Sequence, residues 1–193
     1  MIQVSTRLIY ENRWLSLRED KIKLPDGSPG LYTVVDKPTA ALVIPMERGG
    51  CHLVEQYRYP IGRRSWEFPQ GTWGEGRSGS VEELARAELS EETGLRAGSM
   101  EQIGRMAIAP GLTSQLCEIF LATDLTEGPS AREHTEQEMD QRWFAGDELT
   151  AMVGGGQIVD ALTLAAFALL VRRAPEFGRA KPESWVMTRQ DPG

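Results

Sequence analysis

Three carboxylates, Glu88, Glu91 and Glu92, stand within five residues of one another and are followed by Gly94 and Leu95. Each residue of an α-helix turns about 100°, so the three fall within an arc of roughly 100° on one face. Like charges spaced this way repel by about 0.2–0.5 kcal/mol per pair on an exposed helix. A bound divalent cation would convert that repulsion into a set of hard oxygen donors. An acidic run alone is most simply a solvated helix face, so the surrounding residues decide between the two.

Other chemistry-bearing groups are fewer. Gln56-Tyr57-Arg58-Tyr59-Pro60, with Arg63 and Arg64 close behind, gathers positive charge in a chain of formal charge −7. A guanidinium suits phosphate oxygens in geometry and stacks on aromatic rings, and Arg58 lies between two tyrosines. The segment from Glu127 to Met139 carries Glu133, His134, Glu136 and Glu138 without a helical apolar stripe. It is expected to be a loop, where functional groups commonly sit on a rigid scaffold. Cys51 and His52 are adjacent, and neighbours on a strand face opposite sides, which makes them a poor nucleophile and base.

Charge and composition remove several classes of function. With 21 basic and 28 acidic residues, the charge balance argues against a non-specific nucleic-acid binder or a partner of an anionic membrane. Its longest apolar run, Leu164 to Val171, is too short to span a bilayer, and Met1 to Tyr10 shows no basic-then-apolar signal pattern. The two cysteines lie too far apart in sequence for a CxxC pair and form no disulfide framework, which points to the cytoplasm.

The elements that must hold these groups follow from hydrophobic period and turn chemistry. Alternation over Ile2–Tyr10, Trp14–Leu24 and Leu31–Asp36, with Pro25-Asp26-Gly27 as a turn, predicts an N-terminal antiparallel sheet. Ala40–Met46 and Cys51–Tyr57 predict a hairpin of central strands through Glu47-Arg48-Gly49-Gly50. Trp66 to Gly71 predicts a short strand ended by Pro69 and Gly71, before a glycine-rich loop, Thr72 to Gly79. Ser80 to Thr93 is the predicted helix, with Ser80 and Glu83 as a capping box, Gly94 as the stop, and Val81, Leu84, Ala85 and Leu89 as its apolar stripe. That stripe overlaps the carboxylate arc, which sets the glutamates at the edge of the buried face. Strands are expected at Met100–Ile108, Leu116–Ala122 and Gln141–Phe144, and helices at Gly146–Val153 and Ile158–Arg172. Beyond Pro175 a loosely held tail is expected, with Trp185-Val186-Met187 as its anchor.

Glu67-Phe68-Pro69-Gln70-Gly71, the glycine-rich loop and the helix end at Glu88-Leu89, Glu91-Glu92 and Gly94-Leu95 together resemble the Nudix hydrolase family. The arm, Gln56-Tyr57-Arg58, Trp66-Glu67, and Pro110 sixteen residues after Gly94 look like its ADP-ribose and nucleoside-diphosphate-sugar pyrophosphatase branch. The resemblance implies an α+β fold: a Nudix-type α/β/α sandwich with a mixed central sheet and an N-terminal antiparallel β arm. It implies an arm over residues 1–38, a catalytic domain over 39–173 and a tail over 174–193. It also implies a homodimer that exchanges its arms, and hydrolysis of a diphosphate bond in a small nucleoside diphosphate derivative. Carried onto this chain, Glu88, Glu91, Glu92 and the Gln70 carbonyl would hold Mg²⁺ or Mn²⁺. Arg58, Trp66, Glu67, Pro110 and Leu112 would bind substrate, and Glu136 or Glu138 would be the general base.

The family box is incomplete here. Its arginine falls at Ala87, while the neighbouring Arg86 points about 100° away around the helix. Its first glutamate falls at Gly79, and the spacing from Gly71 to Glu88 is two residues longer than the family's, leaving Glu75 and Glu82 as candidate substitutes. These departures leave open a second reading, a nucleotide-binding or sensor module with little hydrolytic activity.

Overall fold

The computed structural model describes residues 1–74, 76–129 and 138–178. The three N-terminal strands, β1 (Ile2–Glu11), β2 (Ser16–Lys23) and β3 (Pro29–Asp36), form an antiparallel sheet in that order. It is tied to the rest of the chain through the loop between two later strands. The Val35 amide donates to the Leu112 carbonyl at 2.9 Å, and the Ser114 amide to the Val35 carbonyl at 3.1 Å.

The second sheet is mixed. Its strands β4 (Ala40–Glu47), β5 (Gly50–Arg58), β8 (Leu95–Ala107), β9 (Leu116–Glu127) and β10 (Asp140–Ala145) run in the order β10-β5-β4-β9-β8. Two short strands complete it, β6 (Arg63–Glu67) on β5 and β7 (Gln70–Gly71) on β4. β4 and β9 run parallel from Ala40↔Cys117 to Pro45↔Ala122. Both strands are nearly continuous apolar runs because both faces are covered. Ala41, Val43, Phe120 and Ala122 pack under helix α1 (Val81–Thr93) with Leu84, Ala85 and Leu89. Leu42, Ile44, Ile119 and Leu121 pack on the opposite side with Leu149 and Met152 of α2 (Gly146–Gly154) and Leu162, Ala166 and Leu170 of α3 (Ala161–Arg173). The result is the α/β/α arrangement with its antiparallel N-terminal sheet.

Several boundaries differ from expectation for identifiable reasons. The central hairpin is real only at its tip, where Met46↔Cys51 and Glu47↔Gly50 pair. Past these pairs β4 turns to β7 and β9, and β5 to β6 and β10. Hydrophobic period marks a strand but not its neighbour. β8 starts at Leu95, directly after the helix, and β9 runs on to Glu127, because Leu95↔Glu127 through Ser99↔Thr123 extend the ladder beyond the covered core. Residues in that extension alternate too weakly to be read as strand. α3 begins at Ala161 because Asp160 caps it, its carboxylate accepting from the Thr163 amide at 2.7 Å. Phe177 is buried, edge-on to Phe167 at 6.3 Å between ring centroids, and so anchors the chain before the tail. Trp185, Val186 and Met187 lie outside the described residues.

Candidate active site

Helix α1 presents its carboxylates as its caps dictate. The Ser80 hydroxyl accepts from the Glu83 amide at 3.1 Å, and the Glu83 carboxylate accepts in return from the Ser80 amide at 2.7 Å, forming a capping box. At the other end Gly94 is left-handed, φ 74°, a conformation costly to any residue with a Cβ, and its amide donates to the Ser90 carbonyl. Between these caps Glu88 and Glu92 are buried, at 9% and 1% exposure, among the apolar residues of the stripe. Glu91, at the rim, accepts from Arg77 Nη2 at 2.9 Å.

The loop before the helix meets these carboxylates at its glycines. A side chain at Gly71 would overlap the Glu88 carboxylate, with Glu88 Cδ 2.6 Å from the Cβ position, so the carboxylate lies directly against bare backbone. Trp73 donates through Nε1 to the Gly79 carbonyl at 3.3 Å, and the Arg77 guanidinium lies over the Trp73 ring, 4.9 Å from its centroid. Glu82 is taken up by Arg86 on the exposed side of the helix, and Arg86 also donates to the Ala97 carbonyl. Arg86 and Glu82 are thus held away from the Glu88 face. Glu75 lies outside the described residues.

Beside Gly71 opens a cavity of about 430 Å³, in the split where β4 and β5 part company. One wall comes from β5 and β6 through Arg58, Ser65 and Glu67, the other from β4 and β7 through Ala40, Gln70 and Gly71. Lys37, Thr72, Gln115 and Asp160 complete its polar lining. Glu67, 2% exposed, accepts from Arg58 Nε with both oxygens at 3.0 Å, and Arg58 Nη2 closes the fork on it. Gln70 Nε2 bridges the Glu67 and Asp160 carboxylates at 3.1 Å each. Burial is the largest influence on Arg58 and opposes its charge, yet the Glu67 hydrogen bonds and the charges of Glu67, Asp160 and Glu92 outweigh it and raise its pKa. The field of Glu92 thus reaches the cavity from the helix.

The cavity gathers Arg58, Glu67 and Gln70 of the expected residues, with Glu88 packed just behind Gly71. Trp66, Pro110 and Leu112 are not among its lining residues. Trp66 alternates to the other face of β6 and packs edge-on to Phe144 at 4.8 Å. Leu112 is exposed in the loop that joins β3, and Pro110 sits in the same loop. Arg64 is held by Glu55 and by the Glu138 carbonyl, and Arg63 is exposed, so of the three clustered arginines Arg58 alone lines the cavity. Glu138 stands at the exposed entry to β10, and Glu136 lies outside the described residues. Lys37 and Asp160 escaped the sequence reading: a lysine after a strand is unremarkable alone, whereas Asp160 three residues before Thr163 is an N-cap signal that could have been found.

Cys51 and His52 behave as their strand positions require. Burial pushes the Cys51 thiol up, while His52 turns the other way to Glu47 at 2.9 Å and Gln141 at 2.6 Å. Among the described residues no three His, Cys, Asp or Glu side chains converge as a ready-made cation site. The donor set still suits a hard divalent ion. Glu88 and Glu92 supply carboxylates one turn apart on a doubly capped helix, and bare backbone at Gly71 faces one of them.

Comparison with known proteins accords with this geometry. Residues 1–35 match the family model of the nucleoside diphosphate sugar hydrolase N-terminal domain, and residues 36–167 match that of the NUDIX domain. The chain is 31% identical to an ADP-ribose pyrophosphatase of Mycobacterium tuberculosis over 188 residues, covering 95% of this chain and 90% of that one. It is 29% identical to a methanol dehydrogenase activator of Bacillus methanolicus over 169 residues, covering 86% and 90%. A crystal structure of an ADP compounds hydrolase shares the fold, with a TM-score of 0.79 at 20% identity over 92% of this chain and 96% of that one.

Proposed function

This chain belongs to the Nudix family, and from that premise we propose that it hydrolyses the diphosphate bond of a nucleoside diphosphate joined to a sugar or similar group. ADP-ribose is the first substrate to test, and the products are a nucleoside monophosphate and a sugar phosphate. The observation that carries this reading is the cavity itself, which sets Arg58 and Lys37 beside the Gly71 backbone and the Glu88 carboxylate behind it. Positive charge for a diphosphate and oxygen donors for its counter-cation thus meet at one edge of the split sheet.

Glu88, Glu91, Glu92 and the Gln70 carbonyl would hold Mg²⁺ or Mn²⁺, and the chemistry such an ion would supply is charge neutralisation at the diphosphate and a more acidic water. Arg58, oriented by Glu67, binds a phosphate oxygen. Gln70, pinned between Glu67 and Asp160, keeps the short strand β7 in place. A carboxylate from the segment before β10, Glu136 or Glu138, takes the proton of the attacking water as the new P–O bond forms and the bridging P–O bond breaks. Glu138 itself is tied to β6, its carbonyl accepting from Arg64 Nη2 at 2.9 Å. The N-terminal sheet is the dimerisation arm, supported by exposed Ile2, Val4, Leu8, Ile9 and Tyr10 on β1.

A panel of nucleoside diphosphate derivatives assayed with Mg²⁺ and Mn²⁺ tests this. Cation-dependent release of nucleoside monophosphate, lost in Glu92→Gln, is the expected result, and no turnover by the unmodified protein on any member rejects it. The second reading, a binding or sensor module, draws on Ala87 and Gly79. Tight ADP-ribose binding without turnover in the same assay favours it.

A further inference from the structure

Three departures from the family box, the longer loop, Gly79 and Ala87, converge on one arrangement of side chains. Position 87 lies one helical turn before Glu91, where an arginine would face that carboxylate. With alanine there, the partner of Glu91 comes from the loop instead, as Arg77 Nη2 donates to Glu91 Oε1 at 2.9 Å. Arg77 is held for that contact: its guanidinium lies on the Trp73 ring, and its amide donates to the Gly74 carbonyl at 3.1 Å. Trp73 is fixed in turn by its bond to the Gly79 carbonyl. A Cβ at Gly79 would stand 3.1 Å from the Trp73 ring and 2.8 Å from the Glu83 oxygen that closes the capping box. A box glutamate at this position would have to shift Trp73 or the Glu83 carboxylate.

We propose that Arg77, held over the Trp73 ring, is a positioning residue that supplies from the loop the partner which an arginine at position 87 would give Glu91, orienting that carboxylate for the divalent cation. The inference rests on the hydrolase reading above. The two extra loop residues lengthen the chain that carries Arg77, and the stack limits the entropy lost when a long side chain is held in one place.

Mn²⁺ affinity, measured by calorimetry on the protein without substrate, gives a readout independent of turnover. By charge alone, removing a cation beside carboxylates strengthens Mn²⁺ binding. By positioning, Arg77→Ala weakens it about 10–100-fold and lowers kcat by a similar factor with KM little changed. Arg77→Ala/Ala87→Arg, which returns the arginine to the helix, is expected to regain most of the Mn²⁺ affinity. Arg77→Ala binding Mn²⁺ as tightly as the unmodified protein or more tightly overturns the proposal, as does a double variant that melts normally and regains nothing. Should the double variant melt early, Trp73→Leu decides: weakened Mn²⁺ binding supports the role of the stack, and unchanged binding overturns it. An unmodified protein that binds Mn²⁺ but turns over no nucleoside diphosphate derivative rejects the hydrolase reading and leaves the Mn²⁺ comparison intact. Turnover that Arg77→Ala leaves unchanged rejects only the role of Arg77.

Discussion

At Glu67 a carboxylate 2% exposed depends on Arg58, whose side chain is 38% exposed, and this asymmetry sets what each substitution does. Arg58→Ala strands a buried carboxylate. It is expected to cost about 2–3 kcal/mol in urea denaturation, below the figure for a fully buried pair because Gln70 also donates to Glu67. The same change should raise KM for any diphosphate substrate, whereas an unchanged KM would remove Arg58 from the binding site. The thiols offer a simpler check. Burial, helped by the Asp160 and Glu118 charges, pushes Cys117 up to about 12, and burial raises Cys51 as well. Neither should react with a thiol-specific disulfide reagent at neutral pH until the protein is unfolded.

The helix and the loop before it act as a unit, and substitutions there separate stability from chemistry. Ser80→Ala removes one half of the capping box and is expected to cost about 1 kcal/mol in chemical denaturation. Gly71→Ala should behave differently. Its new methyl group would collide with the Glu88 carboxylate rather than with the apolar core. Turnover and Mn²⁺ affinity should therefore fall while the melting temperature moves by only a few degrees. Gly79→Glu restores the box residue in sequence but not in space, because its Cβ would displace Trp73 or break the Glu83 cap. A drop in melting temperature without a gain in activity is the expected outcome, and a gain would show that the loop tolerates the family arrangement after all.

Across the whole molecule the N-terminal sheet is joined to the core by hydrogen bonds and braced within itself by ion pairs. Arg18 bridges Asp36 at 2.6 Å and Asp20, and Asp36 also meets Ser114 in the loop after β8. The Ser114 hydroxyl first, and Arg18 after it, hold the Asp36 carboxyl below its usual range. Thr6 first, and Arg18 next, do the same for Asp20. A depressed folded-state pKa contributes stability that is present above the ordinary carboxylate range and lost as pH falls through the depressed values. Acid should therefore loosen this sheet below about pH 4, and Asp36→Asn should show a smaller fall in melting temperature between neutral pH and about pH 3. If the apolar side chains of β1 form the dimer contact, light scattering will give the mass of two chains and Leu8→Glu that of one.

The helix, its caps and the carboxylates on it were legible in the sequence, because a capping box, a terminal glycine and a helical apolar stripe are local signals, each complete within a few residues. The apolar runs of β4 and β9 were equally legible, since burial on both faces leaves no polar alternation to mislead. Which strands pair is a non-local matter, so the parting of β4 from β5, and with it the cavity, could not be read from Ala40–Met46 and Cys51–Tyr57. For the same reason Lys37 and Asp160 joined Arg58 and Glu67 only in space. The box residues supplied the likeness to a family and showed an arginine missing at Ala87. That Arg77 stands in its place against Glu91 was decided by tertiary structure alone, because a side chain fourteen residues before Glu91 reaches it only when the loop folds back over Trp73.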